Sequence, residues 1–132
     1  MDTNSVLIIL AALLVAFFAQ KRLRSMMTLG KLKKLIQEGR AYTILDVRTR
    51  AEHEERRIQD SLNVPLDRLQ TDMAKTVSER QDPLFVYCLS GSRASVALGI
   101  LRRMGYTSVS NLGGINAWQG AFDSGRIKKG KK

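Results

Sequence analysis

The chain has 132 residues, enough for one domain, and its content of 44% hydrophobic and 26% charged residues excludes an intrinsically disordered protein. One cysteine and one histidine exclude an intramolecular disulfide and a multi-cysteine zinc or iron–sulfur centre, and we expect neither a metal nor an organic cofactor. The net charge of +10 lies in the flanks, 20–40 and 126–132, while 41–125 is neutral. We therefore expect no nucleic-acid partner.

An uninterrupted apolar run, Val6–Ala19, lies near the start of the chain. A helix over 3–20 spans about 27 Å, close to the roughly 30 Å of a bilayer's hydrocarbon core. We interpret the run as a single-span membrane anchor. One alternative is a cleaved signal peptide, which the absence of Lys or Arg before the run and of a small-x-small cleavage pattern disfavours. The other is a buried helix of a soluble core.

Charges around the apolar run predict its orientation. Lys21, Arg22 and Arg24 follow the run, whereas Asp2 precedes it. The positive-inside rule then places the N-terminus outside the cell (inner) membrane and the following domain in the cytoplasm. The basic stretch up to Lys34 either rests on anionic membrane lipid or solvates one face of a helix.

Helices and strands alternate beyond the anchor. A helix is predicted over Leu29–Ile36, with Thr28 as its N-cap and Gly39 as its stop. We predict strands at Thr43–Val47, Ser61–Val64, Leu84–Tyr87 and Ser108–Leu112, helices at Ala51–Arg57, Leu66–Glu79, Ala94–Met104 and Ile115–Gln119, and a turn at Gly113-Gly114. This order predicts an α/β fold with a parallel sheet and helices on both faces. The predicted divisions are an anchor with its basic flank over 1–24, the domain over 25–122 and a basic disordered tail over 123–132.

The lone cysteine, Cys88, follows the apolar strand at the sheet edge where such folds bind ligands. The next five residues form a small-residue loop that leads into a helix: Leu89, Ser90, Gly91, Ser92 and Arg93. Converging amides and the positive end of the helix would stabilise a thiolate, and Arg93 adds a permanent cation. We predict an anion-binding nucleophile site. A buried structural cysteine is the alternative.

Several motifs occur in the order and spacing of one family. They are Leu45-Asp46-Val47-Arg48, Ala51-Glu52, Ile58, Asn63-Val64-Pro65-Leu66, Val86-Tyr87-Cys88 with the loop to Arg93, Ala94-Ser95, and Asn111 to Trp118. Over about 29–120 the chain resembles the single-domain rhodanese family of sulfurtransferases. The loop from Cys88 to Arg93 spans six residues, one fewer than in the similar phosphatases. The resemblance therefore favours sulfur chemistry over a phosphatase or an arsenate reductase.

The resemblance implies that Cys88 takes sulfur from a small sulfur-containing anion or persulfide donor, such as thiosulfate, and holds it as a persulfide against the amides of 89–93. An external thiol acceptor, possibly a protein, or cyanide would then remove it. The resemblance also implies that Arg93 organises the loop and stabilises the anion. Asp46 and Arg48 would support the site, either by orienting the loop or as a structural ion pair.

Some residues depart from the family pattern. Arg56-Arg57 replaces the usual Gly-His before Ile58, which we expect to alter the local turn. His53 stands where an aromatic residue often occurs, and we expect a surface or packing role rather than a catalytic base. Trp118 and the glycine pair are expected to serve packing and a turn. A non-catalytic, membrane-tethered binding module is the alternative function, which the intact Cys88 and Arg93 disfavour.

Overall fold

The structure, a computed structural model, describes residues 1–118 and 127–129. The predictions for the Trp118 side chain and for residues 119–126 and 130–132 lie outside this description.

A single long helix, α1, occupies Thr3–Gln37. The Asp2 carboxylate caps its start by accepting a hydrogen bond from the Ser5 amide at 2.9 Å. The predicted N-cap at Thr28 is wrong, because Thr28 lies inside α1 and its hydroxyl donates to the Arg24 carbonyl at 3.0 Å. Residues 20–28 contain no Gly or Pro, and Lys, Arg, Leu and Met all favour helix, so the two predicted helices fuse.

The N-terminal half of α1 is long and apolar enough to cross a membrane, and none of its most apolar window is buried in the structure. The alternative of a buried core helix is therefore wrong for this chain. The C-terminal half instead packs on the domain, with Leu32 and Leu35 buried and Ser25, Thr28 and Leu29 half-buried. This spacing of three and four residues marks one face of the helix.

A four-stranded parallel sheet forms the centre of the domain. Its strands, in the spatial order β3-β1-β4-β5, are β1 (Thr43–Asp46), β3 (Leu62–Asn63), β4 (Leu84–Cys88) and β5 (Val109–Gly114). The strongly apolar segments are the central strands β1 and β4, as expected for strands that are covered on both faces. The prediction of a parallel sheet is confirmed.

Helices cover both faces of the sheet, which confirms the predicted α/β fold. The remaining helices are α2 (Arg50–Glu55), α3 (Leu69–Thr76) and α4 (Ser92–Arg103), with 3-10 turns at Leu66–Arg68 and Ile115–Trp118. On one face, Leu32 and Leu35 of α1 pack with Phe85 and Tyr87. On the other face, the buried side chains of α3 and α4 pack with alternate strand residues: Leu69, Met73, Ala97, Leu101, Leu84, Val86 and Cys88.

A second, two-stranded antiparallel sheet pairs β2 (Arg56–Ile58) with β6 (Ile127–Lys129). Two predictions differ from the structure here. Arg56 and Arg57 lie in a strand rather than at the end of a helix, and Ile127–Lys129 form a strand within the segment predicted to be disordered. The doubled arginine thus lies in an extended segment, and the Arg56 carbonyl accepts a hydrogen bond from the Arg48 guanidinium.

The glycine pair is not a turn, because Gly113 and Gly114 are the last residues of β5. Val86 pairs with Asn111 and Tyr87 with Gly113, so the register shifts by one residue between them. This bulge bends the strand, and Gly113 has a φ of +85°, a backbone region that favours glycine. The carboxyl end of β5 thereby approaches the chain that follows Cys88.

Candidate active site

Cys88 ends β4 at the carboxyl edge of the sheet, and its side chain is fully buried. The amide of Gly91 donates a hydrogen bond to Cys88 Sγ, with 2.9 Å between nitrogen and sulfur. Gly91 occupies the N-cap position of α4 with a φ of +101°, a conformation that suits a residue without a side chain. The strand–loop–helix arrangement predicted from the sequence is present, and Leu89, Ser90 and Ser92 are its exposed members.

Asn111 fastens the loop to β5. Its side-chain amide donates to the Gly91 carbonyl at 3.1 Å and to Ser95 Oγ at 2.9 Å, while its oxygen accepts from the Gly113 amide at 2.7 Å. The sequence analysis gave Asn111 no role of its own. An Asn two residues before a Gly is the pattern of a side chain that bonds a nearby backbone amide, and that signal was available.

The loop and the end of β5 are in direct contact because both carry glycine. A Cβ at Gly114 would overlap the carbonyl oxygen of Leu89. A Cβ at Gly91 would lie 3.2 Å from the Cα of Gly113. The glycines of β5 therefore serve the close approach of two backbone segments.

Arg93 is paired with Glu52 of α2. Its two terminal nitrogens donate to the two carboxylate oxygens at 2.8 and 3.0 Å. These bonds lower the pKa of Glu52 to about 2 and raise that of Arg93. The sequence analysis expected Arg93 to add a permanent cation, but the structure shows that Glu52 compensates this charge. The pair ties α2 to the start of α4.

Glu52 was missed as a site residue, although its position carries a signal. It lies at the third residue of α2, where it forms a capping box with Thr49. The Thr49 amide and hydroxyl both donate to the same carboxylate oxygen that accepts from Arg93, Oε1. The first turn of α2 thus orients the carboxylate toward Arg93.

Asp46 and Arg48 form a buried ion pair. Arg48 Nη2 lies 2.8 Å from Asp46 Oδ2, and Arg48 Nε lies 3.0 Å from Oδ1. His53 Nδ1 and the Tyr87 hydroxyl lie 2.9 and 3.0 Å from Oδ2. Burial, together with the Asp46 charge, raises the pKa of Tyr87 to about 12. His53 is thus a packing residue within a polar cluster, one of the two roles expected for it.

The Asp46 cluster and the Cys88 loop lie on opposite faces of the sheet. Tyr87 and Cys88 are neighbours in β4, so their side chains point in opposite directions, and Tyr87 bonds Asp46. Among the hydrogen bonds of the described residues, none joins Asp46 or Arg48 to residues 88–93. The structure therefore supports the structural ion pair rather than direct orientation of the loop. Within 1–118 and 127–129, no group of His, Cys, Asp or Glu side chains is arranged to hold a metal ion.

Comparisons with known proteins agree with this geometry. A family model described as "Rhodanese-like domain" matches residues 28–121. The thiosulfate sulfurtransferase PspE of Escherichia coli (strain K12) is 35% identical over 71 residues, which cover 54% of this chain and 68% of that protein. A sulfurtransferase of Allochromatium vinosum is 37% identical over 76 residues, which cover 57% of this chain and 69% of that protein.

A solved structure is also similar. The structure titled "rhodanese with anions from E. coli" superposes with a TM-score of 0.60 at 31% identity, over 68% of this chain and 100% of that chain. The chain further matches longer adenylyltransferase and sulfurtransferase proteins, of which it spans less than a quarter.

Proposed function

Because the chain belongs to the rhodanese-like domain family, we propose that it is a sulfurtransferase that carries sulfur on Cys88. The observation that supports this most is the Gly91 amide directed at Cys88 Sγ at 2.9 Å. An N–H donor at that position stabilises the thiolate that must act as nucleophile, and the N-terminus of α4 adds to this effect.

The reaction proceeds in two half-reactions. The Cys88 thiolate attacks the outer sulfur of a donor such as thiosulfate, a Cys–S–S bond forms, and the donor's S–S bond breaks to release sulfite with the electron pair. The loop amides of 89–93 hold the resulting persulfide. A thiolate or cyanide acceptor then attacks the outer sulfur and releases the Cys88 thiolate, so the kinetics are ping-pong.

The other site residues act through position. Arg93, paired with Glu52, fixes the start of α4, and Asn111 fixes the Gly91 carbonyl. Asp46 and Arg48 stabilise the carboxyl end of β1 beside β4. Leu89, Ser90 and Ser92 are the exposed residues past which donor and acceptor approach.

Mass spectrometry of the intact, detergent-solubilised chain tests the proposal. After incubation with thiosulfate without reductant, the wild type should gain one sulfur atom, about 32 Da, and cyanide should remove it. Cys88→Ser is the matched control and should gain nothing. A folded wild-type chain that gains no sulfur from thiosulfate would contradict this donor. Gain on Cys88→Ser would contradict the assigned residue.

The proposal includes a membrane anchor in α1, with the domain in the cytoplasm. It is supported by the exposed apolar half of α1 and by the positive charges of Lys21, Arg22 and Arg24. In a Cys88→Ser background, a membrane-impermeant maleimide should label Ser5→Cys on intact cells. It should label Ser78→Cys, which is exposed on the domain, only after lysis. The reverse pattern would contradict the orientation.

A further inference from the structure

A cleft runs along the edge strand β5, between α1 and α4, and reaches the Cys88 loop. Its volume is about 1090 Å³. Ser90 and Gly91 line its inner end, and Gly91 is also the residue whose amide bonds Cys88 Sγ. Pockets of about 300–1,000 Å³ hold organic ligands of drug size. The cleft is therefore larger than thiosulfate or cyanide requires.

The cleft wall that α1 contributes is cationic at one level and apolar at the next. Lys21, Arg22 and Arg24 line it, and Phe17 and Phe18 follow toward the N-terminus. Arg102 of α4 adds a further positive charge from the opposite wall. None of the described residues that line the cleft is acidic. A ligand that matches this wall carries an anionic head and an apolar chain.

The direction of α1 determines where the cleft lies in the molecule. Residues 38–42 connect the end of α1 to the start of β1, so α1 runs antiparallel to the strands and its earlier residues lie at their carboxyl edge. Ser25 lies beside Gly113 at this edge, 3.7 Å from the position that a Cβ there would take. The apolar run ends at Ala19, about 9 Å further along the helix. With that run in a bilayer, the cleft opens at the membrane surface.

We propose that this cleft binds an anionic amphiphilic thiol as the sulfur acceptor, with Arg22 and Arg24 holding its anionic head and Phe17 and Phe18 contacting its chain. The proposal rests on the sulfurtransferase function proposed above. The acceptor thiolate R–S⁻ attacks the outer sulfur of Cys88–S–SH, giving R–S–SH and the Cys88 thiolate. Arg22 and Arg24 are specificity-determining residues that touch the substrate and take no part in bond making.

Acceptor kinetics in phosphatidylcholine nanodiscs test this assignment. The full chain is supplied with saturating thiosulfate and one of three thiols: mercaptoundecanoate (long and anionic), mercaptopropionate (short and anionic) or mercaptoundecanol (long and neutral). We expect mercaptoundecanoate to have the lowest KM of the three. In the R22Q/R24Q double variant, its KM should rise about tenfold with kcat unchanged, and the KM of mercaptoundecanol should change less than twofold. Comparison between variants cancels the partitioning of the long thiols into the lipid.

Lys31→Gln is the matched control. Lys31 is exposed on the same helix and does not line the cleft, so all three KM values should stay at the wild-type level. An unchanged KM for mercaptoundecanoate in the double variant, or an equal rise for the neutral thiol, would overturn the assignment. Persulfide loading of Cys88, followed by intact mass, separates the two proposals, because it should be normal in every variant even if the cleft has no role.

Discussion

Asp46 illustrates how the domain tolerates a fully buried charge. Its carboxylate faces the Arg48 guanidinium, the Arg48 amide, the Tyr87 hydroxyl and His53 Nδ1. A buried ion pair adds little net stability when it is complete, but removal of one partner leaves the other charge uncompensated.

Asp46→Asn should therefore be strongly destabilising. We expect the free energy of unfolding, from urea denaturation of the detergent-solubilised chain, to fall by about 3–5 kcal/mol because Arg48 remains buried and unpaired. Asp67→Asn, at an exposed position, should change it by less than about 0.5 kcal/mol. Equal effects of the two variants would mean that the ion pair does not contribute in this way.

Glu52 should give the fold a dependence on acid pH. Its pKa in the folded chain is about 2, below its ordinary value of 4.5, so its contribution to stability is complete above pH 4.5 and is lost as the pH falls toward 2. The stability difference between wild type and Glu52→Gln should accordingly shrink over that pH range, as followed by thermal unfolding. Glu54→Gln, which alters only an exposed pair with Arg50, should show a small difference at every pH. A constant difference for Glu52→Gln would contradict the Arg93 pairing.

At the scale of elements, the strands were predictable and their mutual contacts were not. The apolar runs at Thr43–Val47 and Leu84–Tyr87 are buried on both faces, and that burial is written into their composition. The Cys88 loop was likewise predictable, since strand, small-residue loop and helix are adjacent in the chain. The Glu52–Arg93 pair and the Asn111 contacts depend on how distant elements meet, which no local pattern encodes.

The two ends of the domain failed for different reasons. The helix start predicted at Thr28 failed because a polar residue that caps helices is also accommodated inside one, where its hydroxyl bonds the preceding turn. The turn predicted at Gly113-Gly114 failed because glycine also occurs where two backbones meet.

Gly114→Ala should displace the loop that holds Cys88. The new methyl group would overlap the Leu89 carbonyl, a backbone atom that has no rotamer to change, so the rate of persulfide formation with thiosulfate should fall at least about tenfold. Gly99→Ala is the matched control, because its Cβ meets no atom within 4 Å and it lies inside α4. There we expect a normal rate and a gain of about 0.5–1 kcal/mol in stability. A normal rate in Gly114→Ala would show that the loop tolerates displacement.

At the scale of the whole molecule, α1 is at once the exposed apolar segment and a structural part of the domain. The helix passes through the predicted division at residue 24 without a break. Its C-terminal half contributes Leu32 and Leu35 to the core that also holds Phe85 and Tyr87. Removal of α1 would therefore uncover one face of the sheet.

Leu32→Ala tests this dual role. Leu32 has 0% of its surface exposed, and its truncation should cost about 2–5 kcal/mol in the free energy of unfolding of the sheet domain. Leu23→Ala, on the same helix but 57% exposed, should have little effect on the unfolding of the domain in detergent. Equal costs for the two variants would mean that α1 does not pack on the sheet as the structure shows.

An unbroken α1 has a consequence for how the protein meets its substrates. If the first half of the helix lies in a bilayer, the second half carries the domain as a rigid arm, and the Cys88 loop keeps a fixed height above the lipid. Encounters with a bilayer-resident molecule then become a search in two dimensions instead of three. Turnover would follow the number of acceptor molecules per unit area of membrane, and dilution of the surrounding solution would leave it unchanged.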